Sequence, residues 1–263
     1  MRRQQRTLSR RQFCALSATA AASVAAVTSC RALAGPGDGR IEARPPAGVK
    51  TSVSGRLQLG LNTDRDAILQ LPSKAAESLP LLVMLHGATQ SADDMFWYLG
   101  SVPEEAGVAV LAPNSRGTTW DAIEGAFGAV GGGFGVDVAL LNQALERTFQ
   151  LVAVDPARVL LAGFSDGATY AISLGLINGD FFNRVIGFSA GFVIEGIPHG
   201  QPRFFMSHGT HDHILPIERC GRLVAAQLIS RGYNVTFREF EGDHEIPADV
   251  AREALRWASS SQR

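Results

Sequence analysis

The sequence predicts an α/β fold built on a mainly parallel sheet with helices on both faces. Three observations predict it. Short, continuous apolar runs such as "LPLLVMLHG" (79–87), "VAVLAPNS" (108–115) and "ARVLLAGF" (157–164) recur along the chain. Unbroken apolar runs suit strands covered on both faces, not strands with one wet side. Segments of helical period separate them, and strand and helix alternate instead of clustering.

The elements follow in order. The folded body begins near Thr51, where "GRLQLGLN" forms an early edge strand. After the 79–87 strand, Ser91 can cap a helix through "SADDMFWYLGSVPEEAG". The 108–115 strand follows. "DVALLNQALERTF" then spaces Val138, Leu141 and Leu145 as one helical face behind an Asp137 cap. The 157–164 strand runs into the helix "DGATYAISLGL". "RVIGFSAG" and "PRFFMSHG" are two more strands, and "IERCGRLVAAQLISRG" is a helix closed by Gly232 that holds Cys220 among Leu223, Val224 and Leu228 as a small apolar residue. "YNVTFREF" alternates as a strand, and "PADVAREALRWA" is a final helix with proline at its start.

Sheets of this kind bind ligands beyond the carboxyl ends of their strands. That rule selects His86-Gly87, Ser165, Asp212 and His244. "GFSDG" (163–167) has the G-x-S-x-G form of a nucleophile elbow, in which strand and helix approach too closely for a Cβ on either side of the serine. A tight structural turn is the alternative for the pentapeptide alone. Its place after "RVLLA" and before a small-residue helix favours the catalytic reading. A serine hydroxyl needs a base. His244 lies in the loop between the last strand and the last helix, and Asp212 follows the preceding strand, giving the chain order Ser, acid, His. Asp212 would fix the His244 tautomer and stabilise the imidazolium. Asp243 and Glu245 are solvated neighbours in this reading.

"HGTHDH" (208–213) also suggests a rival, a transition-metal site from His208, His211, Asp212 and His213. Adjacent Asp212 and His213 make poor chelate geometry, and no further ligand stands at a recognisable spacing. The expectation is therefore no metal and no cofactor. His208 is expected to pack under the site.

A developing oxyanion needs preorganised N–H donors. The backbone N–H of Asp166, after the serine, is one candidate. The N–H of Ala88, in the loop after the 79–87 strand, is the other. His86, Gly87 and Trp120 are expected to border the substrate.

With the elbow, "LHGATQ", "HGTHDHILP" and "GDHEIP" in hand, the chain resembles the α/β-hydrolase superfamily over about residues 53–260. It is most similar to the phospholipase/carboxylesterase group and to exported feruloyl-esterase-like and polyhydroxybutyrate-depolymerase-like proteins. The resemblance implies a serine carboxylic-ester hydrolase working through an acyl-enzyme on a small-molecule ester. A serine peptidase or amidase of the same fold and a non-catalytic binding protein are the alternatives. Asp212 stands only 47 positions after Ser165, which leaves no room for a large lid and implies an open cleft for modest-sized substrates. Between them and the 108–115 strand, glycines 131, 132, 133 and 135 suggest a mobile or close-packed loop near Trp120.

The N-terminus is a separate unit. Residues 1–29 carry five arginines and no acid, and "SRRQFC" (9–14) resembles a twin-arginine export motif ahead of an uncharged stretch. "VTSC" (27–30) is similar to a lipobox, which would place a lipid anchor on Cys30 and the protein at the cell envelope. Residues 30–50 read as a flexible linker and 51–263 as the hydrolase domain. Beyond residue 29 the chain has 19 basic and 25 acidic residues, net −6, which argues against a nucleic-acid partner. With Cys14 in the leader and Cys30 the expected lipid site, Cys220 stands alone and forms no disulfide framework.

Overall fold

The computed structural model describes residues 37–61, 65–74, 76–128 and 133–259. The elements among them are β1 (Arg56–Gln58), β2 (Ala67–Gln70), β3 (Leu79–Leu85), α1 (Ala92–Leu99), α2 (Val102–Ala106), β4 (Ala109–Pro113), α3 (Asp121–Ala126), α4 (Val136–Leu151), β5 (Val154–Phe164), α5 (Asp166–Ile177), β6 (Arg184–Phe188), β7 (Arg203–Gly209), α6 (Gly221–Ser230), β8 (Val235–Phe240) and α7 (Ala248–Ser259). The strands form one sheet in the order β1-β2-β4-β3-β5-β6-β7-β8. Strands β3 to β8 run parallel, and β1 and β2 add an antiparallel edge.

The continuous apolar runs are explained by two layers. Leu81, Val83 and Leu85 of β3 pack with α4, α5 and α6 on one face. Leu82 and Met84 pack with α1, α2 and α7 on the other. Leu81 to Leu85 alternate between the two layers, so this stretch of the strand has no polar side. The predicted sheet and its covering helices are present.

Several local expectations change. β2 has four residues, too few to show a period. A helical turn, α3, precedes the glycine-rich loop, of which Gly131 and Gly132 lie outside the described residues. The N-cap of α4 is Gly135, not Asp137. Asp137 is buried, and its carboxylate accepts the backbone N–H groups of Arg116 (2.6 Å) and Asp121 (2.7 Å). α6 begins at Gly221, because Arg219 and Cys220 close a turn on the Pro216 carbonyl. Cys220 is half-buried at that helix start, and Leu223 is exposed.

The linker reading of 30–50 fails where the structure describes it. Residues 39–44 lie strapped to the domain. Ile41 and Ala43 are buried. Asn178 accepts from the Ile41 N–H (2.8 Å) and donates to the Gly39 carbonyl (2.8 Å), while Asn142 accepts from Glu42 and Ala43. The Arg40 guanidinium forks onto Asp180 (2.7 and 2.9 Å), and Arg44 covers the Phe181 ring. Composition rich in proline, glycine and charge did not prevent docking, because the contacts include backbone groups of the strap meeting the side-chain amides of Asn142 and the buried Asn178. The export signal, residues 1–29, and Cys30 lie outside the described residues.

Candidate active site

Ser165 lies between β5 and α5 as the N-cap of α5, with φ 56° and ψ −121°, a conformation few non-glycine residues adopt. Neighbouring groups over-determine it. The Ser165 N–H donates to the Phe188 carbonyl at 2.9 Å, and its own carbonyl accepts from Ala168 and Thr169. A Cβ on Gly163 would lie 2.0 Å from the Gly167 carbonyl oxygen, and one on Gly167 would lie 2.3 Å from that of Leu85. The glycines therefore permit the strand–helix crossing that lifts the serine above the sheet.

Asp212 follows β7 and is buried. Its Oδ1 accepts the Ile214 and Leu215 N–H groups at 3.0 and 2.7 Å. Its Oδ2 lies 2.7 Å from His244 Nδ1. The loop that carries His244 reaches this position because Gly209 packs bare against it; a Cβ there would sit 2.3 Å from the Asp243 carbonyl oxygen. Backbone bonds from Thr210 to Phe240 and from His211 to Gly242 tie the two loops together. The His244 ring packs on Phe164, the residue before Ser165, with centroids 4.8 Å apart. Among the described residues Ser165 Oγ and His244 are not hydrogen-bonded in this conformation, and nucleophile–base contacts often tighten only with substrate.

His208 lies behind this pair. Its Nε2 is 2.7 Å from the Leu215 carbonyl and 3.2 Å from Asp212 Oδ2, and burial pushes its pKa down. The neighbours on the same loop diverge from it. His211 is exposed, and His213 donates its backbone N–H to Asp243 and lies 3.1 Å from it through Nδ1. These bonds hold the exposed Asp243 carboxylate below its usual pKa range and keep it on His213, away from the His244 ring. A cavity of about 600 Å³ on the outer side of these loops, between Arg238 and Pro247, contains neither Ser165 nor His244.

On the opposite side, Gly87 lies against Ser165, where an added Cβ would be 3.1 Å from the serine Cβ. Among the described residues the N–H groups of Ala88 and Asp166 donate to no protein acceptor. Asp166 starts α5, so its N–H has no partner within the helix. Its carboxylate accepts from Thr119 Oγ1 at 2.6 Å.

His86 and Trp120 do not border a substrate. His86 is fully buried; its Nε2 accepts the Ser115 N–H at 2.9 Å and its Nδ1 is 2.7 Å from the Gly87 carbonyl. The Trp120 ring is buried between His86 and Tyr170, with centroids 5.0 and 5.1 Å away, and its Nε1 donates to the His86 carbonyl at 2.8 Å. Both residues are interior supports, because the loop after β4 folds beneath the loop after β3. Gln90, Thr119 and Asp137 belong to the same support and carry no signal in the sequence, since each acts on a residue distant along the chain or on an unmarked backbone group.

Comparison with known proteins agrees with this architecture. FphF, a fluorophosphonate-binding serine hydrolase of Staphylococcus aureus, superposes with a TM-score of 0.63 at 15% identity, covering 80% of this chain and 100% of that one. Esterase PE8 gives 0.56 at 22% identity, covering 74% and 98%. Such likeness shows the α/β-hydrolase fold. A poly(3-hydroxybutyrate) depolymerase of Ralstonia pickettii is 32% identical over 124 residues, 42% of this chain and 25% of that protein. An acyl-protein thioesterase 1 of Emericella nidulans is 30% identical over 74 residues, 25% of this chain and 31% of that protein. The chain spans between a quarter and just over half of the curated relatives it matches. Residues 66–202, more than half of the chain and including the Ser165 elbow, match the model of one family, so this protein belongs to the esterase PHB depolymerase family.

Proposed function

We propose that the protein is a serine carboxylic-ester hydrolase with Ser165 as nucleophile, His244 as general base and Asp212 as the acid that orients it. The observation that carries this reading is the 2.7 Å Asp212–His244 pair packed beside a strained serine elbow. Ser165 Oγ attacks the ester carbonyl as His244 Nε2 takes its proton. Asp212 holds the Nδ1–H tautomer and stabilises the imidazolium. The oxyanion accepts from the Ala88 and Asp166 N–H groups, each worth roughly 3–4 kcal/mol in a comparable site. His244 then protonates the leaving alcohol, and water deprotonated by His244 releases the acyl group from Ser165. Family membership and esterase-like neighbours support the ester as the bond cleaved.

An organophosphonate probe tests the mechanism. One adduct should form and map to Ser165, and a panel of esters run beside peptides should show ester turnover. An adduct elsewhere would overturn the assignment of Ser165, and turnover of peptides alone would make the protein a peptidase.

We further propose that residues 1–29 direct twin-arginine export and that Cys30 receives a lipid anchor. Replacing Arg10 and Arg11 by lysine should hold the full-length chain in the cytoplasm. Unchanged export removes the first assignment, and a mature N-terminus other than acylated Cys30 removes the second.

A further inference from the structure

His208, next to last in β7, is fully buried beneath the loop that carries Asp212. Its ring fits there because α6 begins with a bare residue: a Cβ on Gly221 would lie 2.5 Å from His208 Nδ1. The tautomer follows from one contact. A carbonyl oxygen can only accept, and His208 Nε2 lies 2.7 Å from the carbonyl of Leu215. Nε2 therefore carries a proton. Nδ1 is buried with no hydrogen-bond partner among the described residues, so a second proton there would be a buried donor without an acceptor. The ring is the Nε2–H tautomer with a bare Nδ1.

That single N–H grips the turn that holds the acid. Leu215 is fixed at both of its polar groups: its N–H donates to Asp212 Oδ1 at 2.7 Å, and its carbonyl accepts from His208. The other carboxylate oxygen, Oδ2, lies 2.7 Å from His244 Nδ1 and 3.2 Å from His208 Nε2. His208 thus anchors the far end of the turn whose backbone pins one oxygen, and presents the positive end of its N–H dipole to the other. The titratable groups around the ring are Asp212 and His244 on the two loops, Cys220 beside Gly221, and Glu239 opposite on β8, whose carboxylate is taken by Arg222. Burial pushes the His208 pKa down, so the ring stays neutral among them. A neutral donor leaves the carboxylate to one counter-ion, the His244 imidazolium that forms as Ser165 attacks. A cation in the same place would compete with it.

We propose that His208 is a positioning residue for the catalytic acid: through its Nε2–H it locks the turn from Asp212 to Leu215, and with it the carboxylate, in the orientation that His244 Nδ1 requires. This inference rests on the serine-hydrolase reading above and adds to it a buried residue that meets neither substrate nor the reacting atoms.

The test uses the whole enzyme and two amide replacements. Glutamine places its amide nitrogen near the Nε2 position and can still donate to the Leu215 carbonyl. Asparagine reaches only the Nδ1 position, where no acceptor waits. His208→Gln is expected to keep kcat within about tenfold of wild type, and His208→Asn to lose about 10²-fold, the cost of a misplaced catalytic group, with KM within about threefold. Because His208 acts through Asp212, His208→Asn should cost at most about threefold more once Asp212 is itself replaced by asparagine. Equal losses in the two folded variants, a loss confined to KM, or an undiminished loss in the Asp212→Asn background would overturn the positioning role and leave a packing role. Should neither variant fold, ¹⁵N-histidine NMR of the wild-type protein decides: the proposal requires a protonated Nε2 and a bare Nδ1 on His208, and the reverse tautomer contradicts it. Phosphonate labelling of Ser165 in the wild type is unaffected by any of these results, so a failure of the serine-hydrolase reading appears separately.

Discussion

Asn178, at the end of α5, accepts the backbone N–H of Ile41 and donates to the carbonyl of Gly39, a span of 137 and 139 residues along the chain. The N-terminal strap is thereby fixed to the helix that begins at the nucleophile elbow. Asn178→Leu leaves buried backbone groups unpaired, at about 1–3 kcal/mol. A chain of this size should lose about 2–4 °C in Tm per kcal/mol. Arg40→Ala removes a half-exposed ion pair and should cost less, about 1 kcal/mol or below. Calorimetry of both variants checks the order; an Arg40 variant less stable than the Asn178 variant contradicts it.

Asp137 sets a pH dependence. Burial first, and then the neighbouring Asp121 charge, raise its pKa to about 7. A carboxyl that holds its proton longer when folded binds more protons folded than unfolded. Stability therefore falls as pH rises through about 7. The buried neutral His86 and His208 act in the opposite sense, because their lowered pKa values favour the unfolded state as pH falls below about 6.5. From about pH 6.5 to 8 the two histidines, half protonated in the unfolded chain near 6.5, offset that fall, so the test is the difference between wild type and Asp137→Asn. Across that window wild type should lose about 1 kcal/mol relative to the variant, or about 2–4 °C in Tm. Parallel wild-type and variant profiles across the window would falsify the assignment.

Metal removal separates the triad from the rival reading of "HGTHDH". His208 is engaged with Leu215 and Asp212, and His213 with Asp243. Ester hydrolysis should survive exhaustive dialysis against EDTA at its initial rate. Loss of activity restored by zinc would show that the loop serves a metal.

The sheet was legible because β3, β4 and the Val159–Phe164 part of β5 are buried on both faces and so carry no polar positions to blur their pattern. β2 was not, since four residues cannot establish a period. The placement of Ser165, Asp212 and His244 was legible because each follows a strand end, and the fold brings the three loops that carry them together. His86 and Trp120 were misplaced as substrate contacts. Their burial depends on the Ser115 N–H and the His86 carbonyl, backbone groups with no mark in the sequence. The strap around Ile41 was hidden for the same reason, since its partners Asn142 and Asn178 look like ordinary helix-surface amides until the chain is folded.

The most direct test of the site is kcat/KM on one activated short-chain ester for wild type, Ser165→Ala, Asp212→Asn and Asp243→Asn, with circular dichroism establishing that each is folded. Ser165→Ala should abolish acyl-enzyme turnover. Asp212→Asn should cost about 10⁴-fold, as the analogous change does in a serine protease, by holding His244 in the wrong tautomer. Asp243→Asn should stay within about tenfold, because Asp243 serves His213 and the His244 backbone, not its ring. A folded, fully active Ser165→Ala enzyme, or a dead Asp243→Asn beside a normal Asp212→Asn, would contradict the account.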